Sequence, residues 1–541
     1  MSFSLSGPAR ALVAGCISAA ITLSAASSPA SELLALTPAD KFVVAATIDD
    51  MGTLDPAAAY EFSTAELLHN VYETLLIGGS RDGGDRFLPG LAESWEVSAE
   101  GTRHSFRIRT GARFASGNPV TAADAAFSLH RLVQLGMAPA SILTQFGFTP
   151  DNVTQRITED GNRLLLDLPA AVAPGLLHAA LTATATAVVD RETVLRNAVS
   201  GDLGHAWLSR ATAGSGPYTL ESFSSGFDYV LTARADHWRG PVPLPRVRVH
   251  HVPSSTTQRA LLQVGLVDVA RNLRPGDVAA LAQTPEIRVH SGLTGEIMYL
   301  AANMGHPVLS DPAVIEAMRW LVDYEGMASM PELRGSRIVH QAFLPRGIAP
   351  ALEDTPFRLD VARARALLDD AGIAPFEVTL LVRNVEDRIT VARALRDSFA
   401  QAGITLRITA MSGQEVLTRY RSRSHDLVLE AWIPEYADPH FNAAAFARNP
   451  DNSPEAAAAG SLAWRNSYAP GQLGAMVDNA FAMRDDDARD DLYRLLQGEH
   501  RSSAPFVIMF QMIEQSAMRT HVTGFSSDGI LRRVSFRNVS K

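Results

Sequence analysis

The stretch from 360 to 440 constrains the fold more than any other part of the 541-residue chain. Asp360 is placed to cap a helix that Gly372 ends, since an aspartate accepts the first free N–H groups of a helix and glycine takes up the left-handed turn at its close. A strand follows from Phe376 to Val382, then a helix from about Ile389 that stops at Gly403. Ile404, Leu406 and Ile408 alternate as a second strand. A short helix around Gln414 to Arg421 leads to a third, Asp426 to Ala431. This β-α-β-α-β order predicts an α/β chain with a mostly parallel, doubly wound lobe, whose ligands would bind beyond the carboxyl ends of the strands.

The loop that leaves the third strand is Trp432-Ile433-Pro434-Glu435-Tyr436-Ala437-Asp438-Pro439. Its prolines fix φ and stiffen the backbone, so its aromatic and acidic side chains can be held in place before a ligand arrives. Residue chemistry alone leaves two readings open: a rigid ligand-presenting loop, or a surface loop whose aromatics plug the sheet end.

Elsewhere the elements are shorter. Phe42 to Ile48 reads as a strand, Ser63 to Leu75 as a helix, and Trp95–Val97 with Phe106–Ile108 as a hairpin around Glu100-Gly101. Thr121 and Asp124 have capping-box spacing. Leu164–Leu168, Tyr229–Thr232 and Val247–Val252 are further strand candidates. The acidic run Asp485–Asp487 with Asp490 and Asp491 alternates with arginine and reads as a solvated helix face.

At roughly 150 residues per domain, the length allows three or four domains. A formal charge of −10 argues against a nucleic-acid partner. Lysine occurs only as Lys41 and Lys541, which leaves none for a P-loop, a Schiff base or a buried general base. Gly214-Ser215-Gly216 runs into Pro217-Tyr218 and opens no helix, so it fails as a dinucleotide fingerprint. Neither a G-x-S-x-G elbow nor an H-E-x-x-H motif is present. His250 and His251 are neighbours on a strand, and their rings point to opposite faces. No catalytic residue, metal site or cofactor is expected, although an exported enzyme built from distant residues stays open as a remote alternative.

Residues 1–30 read as a secretory leader: Arg10 is the only charge before an apolar run, and Ser28-Pro29-Ala30 offers a cleavage site. The mature chain is then expected to be periplasmic, free of disulfides and soluble. Cys16 lies inside the leader in a Val13-Ala14-Gly15-Cys16 context like a lipobox, but too close to Arg10 for a full hydrophobic region, so a lipid anchor is the lesser expectation.

Several segments in order resemble the bacterial extracellular solute-binding protein family 5, the periplasmic dipeptide- and oligopeptide-binding proteins of ABC transporters with their nickel-binding relatives. They are "TLDPA" at Thr53, "NVYETLL" at Asn70, "LPGLAESWEVSAEGTRHSFRIRTGARFASGNPVTAADAAFSL" from Leu88, "GSGPYTL" at Gly214, "VDVARNL" at Val267 and "LVDYEGM" at Leu321. The resemblance implies a type II-like periplasmic binding fold with three lobes closing over a cleft. Residues 31–80, 211–303 and 505–541 would form lobe I, 81–210 lobe II, and 304–504 the doubly wound, ligand-binding lobe III.

It also implies a function and a site. The chain would be a monomeric receptor that delivers a short peptide or similar small ligand to a membrane permease and ATPase. In peptide-binding members, an aspartate three residues after a tryptophan pairs with the peptide ammonium; here Glu435 stands at that distance from Trp432, with Tyr436 and Asp438 beside it. Asp438-Pro439-His440 echoes the nickel-binding members, which keeps a metal chelate, an opine or a glutathione-like ligand as the alternative. Arg383 falls near an arginine that some dipeptide binders use for the ligand carboxylate. Phe62, Ser63, Ile142 and Phe146 match segments that touch ligand in relatives.

Overall fold

The computed structural model describes residues 37–541 apart from 39, 60, 80–85, 457–459 and 528; the leader with Cys16 lies outside the described residues. Seventeen strands are present among them: β1 (Phe42–Ala46), β2 (Leu76–Gly78), β3 (Phe87–Pro89), β4 (Ala92–Val97), β5 (Arg103–Ile108), β6 (Ile157–Asp160), β7 (Arg163–Asp167), β8 (Tyr218–Ser224) and β9 (Asp228–Ala233). They continue with β10 (Arg246–His251), β11 (Val269–Arg271), β12 (Ile287–Ala302), β13 (Arg337–Val339), β14 (Phe376–Arg383), β15 (Ile404–Met411), β16 (Leu427–Trp432) and β17 (Phe506–Arg519).

Eleven of these strands form one mixed sheet in the order β15-β14-β16-β12-β17-β11-β1-β10-β9-β8, with β13 paired to β17. The doubly wound unit is where the sequence placed it. β14 pairs in parallel with β15 and β16, and helices Glu386–Ala400 and Gly413–Arg421 make the crossovers. Asp360 caps helix Val361–Asp370 by accepting from the Arg363 N–H at 2.9 Å.

Two long antiparallel strands, β12 and β17, join the halves of the sheet. Their early register, Ile287↔Arg519 to Leu293↔Ile513, lies beside β11; their later register, Ile297↔Gln511 to Ala301↔Phe506, lies beside β16. A β-bulge separates the two registers between Leu293 and Ile297, and a bulge bends and twists the strand that carries it.

A separate antiparallel sheet, β4-β5-β7-β6, packs with helix Ala122–Leu135 around its own core, which gathers buried residues from Ala57 to Val188 and, from far along the chain, Tyr436. Both halves of the Thr121–Asp124 capping box are formed. Val189, Val194 and Leu208 pack instead with the core of β1, β9 and β10.

The Gly214-Ser215-Gly216 segment serves close packing. It lies against the end of helix Phe62–Val71, where the Gly216 N–H donates to the Val71 carbonyl at 3.0 Å. A Cβ on Gly214 would sit 1.9 Å from that same oxygen. Gly214→Ala should therefore destabilise the fold by at least about 1–3 kcal/mol, as overpacking does. Urea unfolding with an unchanged midpoint would contradict this.

Candidate ligand-binding site

The loop after β16 is held from three directions. Trp432 ends β16 opposite Ile297, stacks on Phe441 with ring centroids 5.5 Å apart, and donates its indole N–H to Asn442 Oδ1 at 3.1 Å. Tyr436 is fully buried in the core of the four-stranded sheet, and its hydroxyl accepts from Gln145 Nε2 at 3.1 Å. Both aromatics are buried anchors of the loop, Trp432 at the end of β16 and Tyr436 in the neighbouring core.

Asp438 is the third anchor. It caps helix Pro439–Ala447 by accepting from the His440 N–H at 2.9 Å. Arg489 Nη2 lies 2.6 Å from its Oδ1, and Arg86 Nη2 lies 2.8 Å from its Oδ2. Burial alone would raise the Asp438 pKa, but the two guanidinium groups outweigh it and hold the carboxyl at about 2. Arg489 comes from helix Asp486–Ser503, whose acidic start the sequence reads as a solvated face; Arg489 is buried there, as are Tyr493, Leu496, Gln497 and His500 further along the helix. His440 is internal as well: its Nδ1 hydrogen-bonds the Tyr493 hydroxyl at 3.1 Å, and burial, then Arg489, lowers its pKa to about 3. Both polar side chains of the Asp-Pro-His echo are thus committed within the protein. Among the described residues, no three His, Cys, Asp or Glu side chains cluster as a metal ion would need.

Glu435 is different. Its carbonyl accepts from Arg533 Nη2 at 2.6 Å. Its carboxylate has no hydrogen-bond or ion-pair partner among the described residues, and the residue keeps part of its surface exposed. Burial raises its pKa; Arg533 opposes this and Glu61, the residue capping helix Phe62–Val71, adds to it. Arg533 reaches across to the Thr182 carbonyl at 3.0 Å, so it touches the loop and the segment before Ala187 together. Burial, then the charge of Arg533, lowers the His69 imidazole pKa to about 4, leaving it neutral at neutral pH. Glu435, Arg533 and His69 are all half-buried. Phe62 offers an exposed ring, with the Arg532 guanidinium 5.6 Å from its centroid.

The model of the bacterial extracellular solute-binding proteins, family 5, matches residues 86–454. The chain belongs to this family. The probable D,D-dipeptide-binding periplasmic protein DdpA of Escherichia coli K12 is 27% identical over 508 residues, which cover 92% of this chain and 94% of that one. Among solved structures, the periplasmic binding protein DppA from Helicobacter pylori in complex with the peptide STSA superposes with a TM-score of 0.78 at 20% identity, covering 94% of this chain and 99% of that one. The binding protein AgaA from A. tumefaciens R10 in complex with agropinic acid gives 0.76 at 21% identity, covering 92% and 98%.

In this solute-binding protein the other expected site residues scatter. Arg383, at the end of β14, donates to Glu430 Oε1 at 2.8 Å. Ser63 is half-buried, its hydroxyl 3.5 Å from the Thr47 carbonyl. Ile142 and Phe146 are buried in the core of the four-stranded sheet, and Phe146 meets the Phe481 ring at 5.7 Å. They hold two parts of the chain together and present no surface to a ligand. Arg533 and Thr182 had no local signal in the sequence, because Arg533 joins Thr182 to the Glu435 loop only through long-range hydrogen bonds.

Two acids three positions apart should respond oppositely to neutralisation. Asp438 has a depressed pKa, so its contribution is present above the unfolded value of about 3.9 and is lost as pH falls towards about 2. Asp438→Asn should cost about 3–5 kcal/mol at neutral pH, since it leaves two arginines facing a buried neutral group. Glu435 has a raised pKa, so the fold disfavours its ionised form at neutral pH. Glu435→Gln should raise the melting temperature of the ligand-free protein, with a gain that shrinks as pH falls. Melting curves of the two variants across pH check both signs; equal destabilisation would contradict the assignment.

Proposed function

We propose that this solute-binding protein is a periplasmic receptor, not an enzyme, that captures short peptides between its lobes and delivers them to an ABC permease and ATPase. The exported leader at 1–30 and the three-lobe division, 31–80 with 211–303 and 505–541, 81–210, and 304–504, belong to the same proposal. No helix among the described residues is long and apolar enough to cross a membrane.

The observation that carries the peptide reading is the unpaired, partly buried carboxylate of Glu435 at the carboxyl end of β16. An acid kept in a desolvated cleft at a cost to the free protein is suited to an incoming cation, and a peptide ammonium supplies one. The relatives support the ligand class. Contacts across the cleft support closure: Arg86–Asp438, Gln145–Tyr436, Phe146–Phe481 and Arg484 Nη2 to the Ala99 carbonyl at 3.4 Å all join 81–210 to 304–504. A ligand favours that closed form only by binding it better than an open one.

Calorimetric titration of wild type and Glu435→Gln with free and N-acetylated peptides tests the assignment. Removing either partner of a desolvated charge pair should cost about 2–5 kcal/mol, or roughly 30- to 5000-fold in affinity. The two losses should be strongly non-additive. Wild-type affinity in the variant, or purely additive losses, would show that Glu435 and the ammonium are not partners.

A further inference from the structure

Three arginines from distant parts of the chain gather around one indole. Trp238 donates its indole N–H to both carboxylate oxygens of Glu73, each at 3.0 Å. The Arg109 guanidinium lies 4.2 Å from the Trp238 ring centroid, and that of Arg239 lies 4.5 Å from it. Backbone carbonyls hold both in place. Arg109 Nε donates to Gly90 at 3.2 Å, and Arg239 Nη2 donates to Pro89, the last residue of β3, at 3.1 Å. Arg537, from the C-terminal tail, donates to the Arg239 carbonyl at 2.6 Å and to His237 Nδ1 at 3.1 Å.

Glu73 is the one carboxylate among these groups, and neutral donors occupy it: the indole, the Ser215 hydroxyl at 2.9 Å and His237 Nε2 at 3.2 Å. A ring nitrogen that accepts from a guanidinium holds no proton of its own, so His237 carries its proton on Nε2 and is uncharged. The neighbouring acids are matched by other cations, Asp236 by Arg234 at 3.1 Å and Glu93 by Arg107 at 2.9 Å. Three cations therefore meet one anion, an excess of two positive charges on a chain whose net charge is −10. Among the described residues no carboxylate hydrogen-bonds Arg109, Arg239 or Arg537. Partial burial lowers the pKa of Arg239; Glu73 opposes that shift, while Arg537 and Arg109 add to it. Like charges crowded in this way are costly to the free protein.

We propose that Arg109, Arg239 and Arg537 form a binding site for a phosphate group. Arg109 and Arg239 each use one of five N–H donors within the protein, and Arg537 uses two. Arg239 is exposed and the other two are half-buried, so the cluster reaches solvent. A guanidinium fork pairs with two phosphate oxygens at once. A phosphate monoester carries about two negative charges on three oxygens, which matches the excess here in sign and size. The indole and the backbone carbonyls hold the forks before an anion arrives, which lowers the ordering cost of binding. A free phosphate compound and a phospholipid headgroup offer the same chemistry. The site involves neither Glu435 nor Arg533, so it stands apart from the peptide reading.

The test uses the whole mature protein, with inorganic phosphate read by calorimetry and lipid vesicles read by co-sedimentation. Wild type should bind inorganic phosphate at one site, more tightly than acetate and more weakly as ionic strength rises. Arg109→Gln and Arg239→Gln should each weaken that binding roughly 10- to 100-fold, the loss of a charge-assisted pair. Arg239→Lys, which keeps the charge without the fork, should fall between, and it keeps the test open if a glutamine variant fails to fold. Arg396→Gln removes an exposed arginine already paired with Asp397 and should change nothing. Binding to phosphatidylglycerol but not phosphatidylcholine vesicles, lost in the same variants, would support the site and name the headgroup as its source. Phosphate binding without vesicle binding would support it and name a free phosphate compound. The proposal would be overturned if neither probe bound, if phosphate bound no tighter than acetate with vesicles unbound, or if the variants bound as wild type does.

Discussion

The buried ion pair between Asp438 and Arg489, with Arg86 as its second cation, is the constraint on which the site depends. Asp438 is fully buried, and a carboxylate there is tolerable only because two guanidinium groups and the His440 N–H satisfy it. Once it is fixed, the loop from Trp432 to Pro439 has little freedom. Tyr436 is driven into the core of the neighbouring sheet, and the Glu435 carboxylate meets no hydrogen-bond or ion-pair partner among the described residues. One acid thus holds the loop, while the other, three residues earlier, takes no part in holding it through its side chain among the described residues. Satisfying the first is what makes the second available.

Much of the frame was legible in the sequence. The β-α-β-α-β unit from 360 to 440, the Asp360 cap and the Thr121–Asp124 box depend on local periodicity and capping, and they formed at the expected places. The loop from Trp432 to Pro439 was legible as a proline-stiffened segment leaving a strand, and only the resemblance to the family singled out Glu435 within it. What could not be read was which acid is free. Asp438 and Glu435 look alike in sequence, and their difference is made by Arg489, 51 positions away, and by Arg86 in another part of the fold. Ile142 and Phe146 were misplaced for a related reason: an apolar residue looks the same whether it faces a ligand or a core. Arg489 was hidden in a run of aspartates whose composition points to solvent.

A second set of charges lies where the two halves of the large sheet join. Glu66, Arg271, Glu514, Arg532, Glu296 and Arg388 form a continuous chain of alternating sign across β17, the tail and the β12 bulge. Three cations and three anions balance there, so the network can be buried without net charge. It ties helix Phe62–Val71 on one side to helix Glu386–Ala400 on the other. Arg532 belongs to this network and Arg533 to the cleft, so the same two residues of the tail connect the joint to the site.

The central claim, that Glu435 is held as an unpaired carboxylate for a ligand ammonium, is open to direct measurement. Carbon-13 labelling of glutamate side chains, with Glu435→Gln to assign the signal, would follow its carboxyl through a pH titration with and without peptide. The account predicts a pKa above the ordinary glutamate value of about 4.3 in the free protein, falling when a free peptide binds and staying high when the peptide is N-acetylated. An ordinary pKa in the free protein, or one that peptide binding leaves unmoved, would contradict it.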